Sequence, residues 1–150
     1  MLNTGSSSIK FCVFRLEGGT LVRDLRGQIS SLGTAPRFSM KHNERPDRNV
    51  DVAIGDESLS QAGALQQLLD RLHSELGDTR IVGVGHRVVH GGLEYMAPTA
   101  VDDTVLEKLD RYVPLAPLHQ PHNLAAIRAV LQRVPEVPQI ACFDTAFHRS

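Results

Sequence analysis

The sequence predicts an α/β fold built on a mixed sheet, and three observations predict it. Turn-joined β-branched runs come first and make antiparallel pairs. Later apolar strands are separated by helix-length segments, which make parallel crossovers. With 150 residues, 41% hydrophobic and 22% charged, the chain has the length and balance of one globular domain. Aromatic residues make up 5% and there is no Trp, so the core must be aliphatic.

The elements follow in chain order. Asn3 to Ser8 is a run of turn formers. Ile9 to Leu16 is β-branched and aromatic and reads as a strand. Glu17 to Thr20 is a hairpin turn, and Leu21 to Ile29 is the returning strand. Ser30 to Asp56 is polar, with apolar islands at Phe38–Met40 and Val50–Ile54 that suit one or two edge strands. Ser58 to Leu76 carries leucines at helical spacing, with Ser58 as cap and Gly77 as stop. Arg80 to Val89 reads as a buried strand ended by Gly91-Gly92. Asp102 to Tyr112 is a short helix, Leu115 to Pro121 a loop, Asn123 to Val134 a helix, and Pro138 to Phe143 a final strand. Ligands of such sheets gather where strands end and connections diverge.

Composition excludes several function classes. A net charge of −1 gives no global pull toward nucleic acid or anionic membrane. No apolar run approaches the ~18–20 residues of a membrane helix, and the first residues lack the basic and apolar regions expected of a signal peptide. Cys12 and Cys142 read as reduced core thiols, which suits the cytoplasm. The basic residues Arg37, Lys41, Arg45 and Arg48 are interrupted by Glu44 and Asp47 and read as a solvated loop. The expected partner is a small molecule, neither nucleic acid nor membrane.

Three segments place polar residues at strand ends. In Asn3 to Lys10, Gly5 offers backbone freedom and the amides and hydroxyls of Ser6, Ser7 and Ser8 could cradle an anion. The alternative is an ordinary turn. This is no Walker A loop, because no second Gly precedes Lys10 and a strand follows. In His86 to Gly92, alternation puts Arg87 and Val89 on one face and His86, Val88 and His90 on the other. A guanidinium beside a small apolar side chain matches a short carboxylic acid; a structural ion pair explains Arg87 equally well. In Phe143 to His148, Asp144 just past a strand can hold magnesium or cap a turn. His86 with His90, and His119 with His122, have zinc-compatible spacing but no third ligand of matching pattern. His86, His90, His122 and His148 read instead as hydrogen-bonded residues around the cleft.

Together these segments resemble the acetate kinase family. The resemblance rests on Asn3-Thr4-Gly5-Ser6-Ser7-Ser8-Ile9-Lys10, Gly85-His86-Arg87-Val88-Val89-His90-Gly91-Gly92, Leu115 through Asn123 (LAPLHQPHN) and Phe143-Asp144-Thr145-Ala146-Phe147-His148, and it spans the chain. It implies reversible phosphoryl transfer from ATP to acetate, giving acetyl phosphate and ADP, with magnesium. It also implies a ribonuclease-H-like sheet of the actin-like ATPase and sugar kinase superfamily, with the first strand central. Position by position, Asn3 would place magnesium and phosphate, while Lys10 with Gly5, Ser6, Ser7 and Ser8 would bind the nucleotide. Arg87 would hold the acid, Val89 and Leu118 would line its methyl pocket, His119 would face the transferring phosphoryl group, and Asp144 would be the catalytic carboxylate. Small carboxylic acids titrate near 4.3, so the nucleophile is already an anion. Asp144 is then a metal and positioning ligand rather than a general base.

The resemblance also implies that residues 1–150 form the N-terminal lobe of a homodimeric enzyme. On that reading the first strand is cut short, the C-terminal lobe is absent, and turnover by this chain alone is weak or absent. Propionate or butyrate could replace acetate, because one methylene discriminates by only ~1–3 kcal/mol. A non-catalytic scaffold of the same fold is the alternative from another class. A ribonuclease-H-like nuclease ranks below both, because the first strand holds Asn3 where metal chemistry would need a carboxylate.

Overall fold

A computed structural model describes residues 1–147; His148 lies outside them. The chain begins with β1 (Leu2–Thr4), β2 (Ile9–Glu17), β3 (Thr20–Ser30), β4 (Arg37–His42) and β5 (Val50–Ala53). It continues through α1 (Gln61–Leu76), β6 (Val84–Val88), β7 (Thr99–Ala100), α2 (Asp103–Asp110), α3 (Gln120–Arg133), β8 (Gln139–Phe143) and α4 (Asp144–Phe147). All eight strands form one sheet in the order β5-β4-β3-β2-β1-β6-β8-β7. β1 to β5 pair antiparallel in sequence, while β6 runs parallel to both β1 and β8. The mixed sheet is the predicted one, and its first strand is central.

Alternation along the strands divides the sheet into an inner and an outer face. Ile9, Phe11, Leu25, Ile29, Phe38 and Met40 point inward and pack on Ala64, Leu65 and Leu68 of α1 and Ala126, Ala129 and Val130 of α3. Val88, Ala141 and Phe143 pack on Val105, Leu106 and Leu109 of α2 and Leu124 and Ile127 of α3. The three long helices therefore cover one face. The side chains of Asn3, Lys10 and Arg87 alternate with these inward residues and sit on the other. A bulge between Val13 and Phe14 of β2 shifts the register against β3.

Several elements depart from the expectations. Asn3 and Thr4 belong to a strand rather than a turn, because β1 is hydrogen-bonded on both sides, to β2 and to β6. The strand expected over Arg80–Val89 is only Val84–Val88; Ile81 and Val82 are exposed. α1 is capped by Ser60, whose hydroxyl accepts from the Gly63 amide, whereas Ser58 turns to Asp56. α3 starts at Gln120, three residues early, with Pro121 in its first turn, where a missing N–H is harmless. β7 was not expected; it is two residues long and pairs antiparallel with β8. Cys12 and Cys142 are free, as expected, but only partly buried and outside the helix-covered core. No helix of the described residues is long and apolar enough to cross a membrane.

Candidate active site

An open cleft of about 330 Å³ lies at the ends of the central strands, lined by Asn3, Thr4, Gly5, Ser8, Lys10, Arg87, Val89, His119, Asn123 and Asp144. Three motifs far apart in sequence meet there because β1, β6 and β8 lie side by side. Asn3 and Lys10 are direct cross-strand partners on β1 and β2, so their side chains stand about 5 Å apart on the same face. Gly5 does not use left-handed backbone angles, so its expected conformational freedom is not what the turn requires. Its amide donates to the Ser8 carbonyl at 2.8 Å, which withdraws it from any anion cradle. Ser6 and Ser7 are exposed and outside the cleft lining.

Arg87 extends from β6 and Asp144 follows β8, the neighbouring strand. The Arg87 Nε donates to both Asp144 carboxylate oxygens, at 2.8 and 3.1 Å. The carboxylate bond raises the Arg87 pKa above its ordinary value. Among the described residues Nη1 and Nη2 of Arg87 have no hydrogen-bond partner. The ion pair and the anion-binding reading of Arg87 thus coexist: Asp144 holds one edge of the guanidinium and leaves its end free for a second oxyanion. Arg87 is half exposed rather than buried, with 52% of its side chain accessible.

Two buried amides that sequence reasoning did not single out set this geometry. Asn123 accepts from the Val89 amide at 3.0 Å and donates to the Thr4 carbonyl at 2.9 Å. It therefore clasps the ends of β1 and β6 to α3. Gln120 makes a reciprocal pair with the His90 backbone, at 3.1 and 2.8 Å. Thr4 adds a bond from its hydroxyl to the His122 carbonyl, and Thr145 accepts from the Gly91 amide. The signal was the helix start itself: polar residues on the inward stripe of α3, where apolar ones would pack.

His119 occupies the residue before α3 and reaches the cleft. Leu118 does not: it is 72% exposed and absent from the lining. His86 faces inward, buried, with Nε2 2.6 Å from Gln139 Oε1; burial lowers its pKa to about 4. His90 Nδ1 accepts from the Gly92 amide, and its ring lies 5.9 Å from that of Tyr112.

This sheet, with polar residues gathered at its central strand ends, is the fold of the actin-like ATPases. Its solved neighbours include a propionate kinase from Francisella tularensis (TM-score 0.81, 33% identity, 99% of this chain and 37% of that one). An acetate kinase from Porphyromonas gingivalis matches at TM-score 0.78 and 28% identity, over 97% of this chain and 37% of that one. Within that class, the chain belongs to the acetokinase family, whose sequence model matches residues 1–150. Curated relatives called acetate kinase include one from Nitrobacter hamburgensis, 45% identical over all of this chain and 37% of its own length. Another, from Rhizobium meliloti, is 44% identical over 99% of this chain and 38% of its own. The chain spans little more than a third of these relatives.

Proposed function

We propose that this chain is the acid-binding N-terminal lobe of an acetate kinase, which transfers the terminal phosphoryl group of ATP to acetate. The observation that carries the proposal is the Arg87–Asp144 pair beside Val89 and opposite Asn3 and Lys10 in one cleft. The free end of the Arg87 guanidinium holds the acetate carboxylate, and Val89 packs on the methyl group. Acetate is already ionised, so no proton need leave before attack. The barrier is repulsion between two anions. Arg87, Lys10 and His119 lower it by supplying positive charge and hydrogen-bond donors around the reacting atoms.

Magnesium fits this donor set. Asn3 and Asp144 offer oxygen ligands in the same cleft, and the ion is commonly held by one or two carboxylates plus substrate phosphates. When bound, it neutralises phosphate charge. Asp144 would then hold the metal as well as orient Arg87. The rest of the relatives' length supplies the remainder of the nucleotide site, and turnover needs it. The enzyme acts in the cytoplasm as a homodimer.

A propionate-using enzyme is the second reading. Leu118 does not close the methyl side of the cleft, which favours room for a longer acid. Calorimetric titration with acetate and propionate tests both readings. Binding of either acid by the parent chain, weakened at least about tenfold in Arg87→Ala (a 1.4 kcal/mol loss), is the expected result. Equal affinity in the variant would overturn the assignment of Arg87.

A further inference from the structure

Outside the cleft, a second pocket of about 150 Å³ opens where the end of β4 meets the first half of β3, lined by Arg23, Leu25, Arg26, Lys41, His42, Asn43 and Asn49. It shares no residue with the cleft. Arg26 and Lys41 are direct cross-strand partners. Like charges so placed repel and destabilise the pair. The bulge adds a third cation: the register runs Cys12 to Arg26 but Phe14 to Arg23. Arg23 and Arg26, three apart, are therefore brought to the same face, a use to which bulges are well suited.

No acid offsets this charge. Among the described residues none of the three cations has a carboxylate within salt-bridge distance. The nearest acids in sequence are committed elsewhere: Asp24 and Glu44 both turn to Arg15, at 3.6 and 3.4 Å. Asn49 accepts from the His42 amide through Oδ1 at 2.8 Å, which leaves its NH2 as the free end. The pocket therefore combines three unpaired cations with an amide donor, and no carboxylate lines it.

We propose that this pocket is an anion site for a compact multivalent oxyanion of the phosphate class, separate from the catalytic cleft. A multivalent oxyanion bridges Arg26 and Lys41 and removes their repulsion, while Arg23 and the Asn49 amide hold its remaining oxygens. A monovalent halide supplies neither the geometry nor the charge.

The test is an amide and side-chain magnetic-resonance titration of this chain with sodium phosphate, against sodium chloride at matched ionic strength. Saturable shifts at Arg23, Arg26, Lys41 and the Asn49 side-chain amide, seen with phosphate alone, are expected. Lys41→Gln and Arg26→Gln each weaken that response about tenfold or more and leave any shifts at Asn3 and Arg87 unchanged. Both positions are exposed, so the variants keep the parent's spectral dispersion. An equal response to chloride, a linear one, or one that survives both substitutions would overturn the proposal.

Discussion

At the residue scale, the cleft depends on a side chain that is almost wholly buried in its wall. Asn123 is 2% exposed and joins two strand ends. Replacing it with Ala strands the Val89 amide and the Thr4 carbonyl, each costing about 1–3 kcal/mol when buried. Asn123→Ala is expected to lose about 2–4 kcal/mol in denaturant unfolding and to weaken acetate binding, because Val89 and Arg87 lose their anchor. Asn123→Asp keeps the acceptor for Val89 but sets a buried carboxylate against the Thr4 carbonyl, so it should lose at least as much of both. His86 makes the pH prediction. Its folded pKa of about 4 lies below the ordinary 6.5, so the unfolded chain binds the extra proton first. Stability from His86 is complete above 6.5 and is lost as pH falls through that value toward 4. Between pH 7 and 5 the loss is about 2 kcal/mol, and urea melts of the parent should show it while His86→Gln shows a flatter profile.

The same scale shows how far single residues could be read. The faces of Arg87 and Val89 followed from strand alternation alone, and the structure places both in the cleft. The Arg87–Asp144 contact was invisible, because it depends on β6 and β8 being neighbours. Leu118 failed for a related reason. It lies in a segment whose side-chain direction is set by how the chain enters α3, and that entry turns it to solvent.

At the element scale, legibility tracked local chemistry. The β2–β3 hairpin was readable because Gly18 and Gly19 supply the positive φ angles, 56° and 81°, of a tight turn. Residue patterning alone read Asn3-Thr4 as turn, and only the family resemblance implied a central first strand; the strand character of Leu2–Thr4 comes from partners on both sides. β7, two residues long, carries no period to detect. Gly91-Gly92 was readable as a strand stop, and its physical cause is now specific. Gly92 sits at φ 63° with the Tyr112 ring where a Cβ would go. Gly92→Ala should therefore destabilise by about 2–4 kcal/mol through backbone strain and overpacking. A smaller loss in thermal or urea unfolding would mean that Tyr112 moves aside freely.

At the scale of the whole molecule, one asymmetry organises everything. Three helices cover the inner face of the sheet, and the chemistry sits on the outer face at the central strand ends. Order in sequence gave the mixed sheet, because hairpins and crossovers leave different signatures. It did not give the clasp of buried amides, which needs the distance between β1, β6 and α3. The central claim is that this outer-face cleft takes a short carboxylic acid, with carboxylate on Arg87 and methyl on Val89. The most direct measurement is an intermolecular nuclear Overhauser effect from the acetate methyl protons in the isotope-labelled chain. The account predicts transfer to the Val89 methyl groups, lost in Arg87→Ala. Transfer to apolar side chains elsewhere on the sheet, with none to Val89, would contradict it.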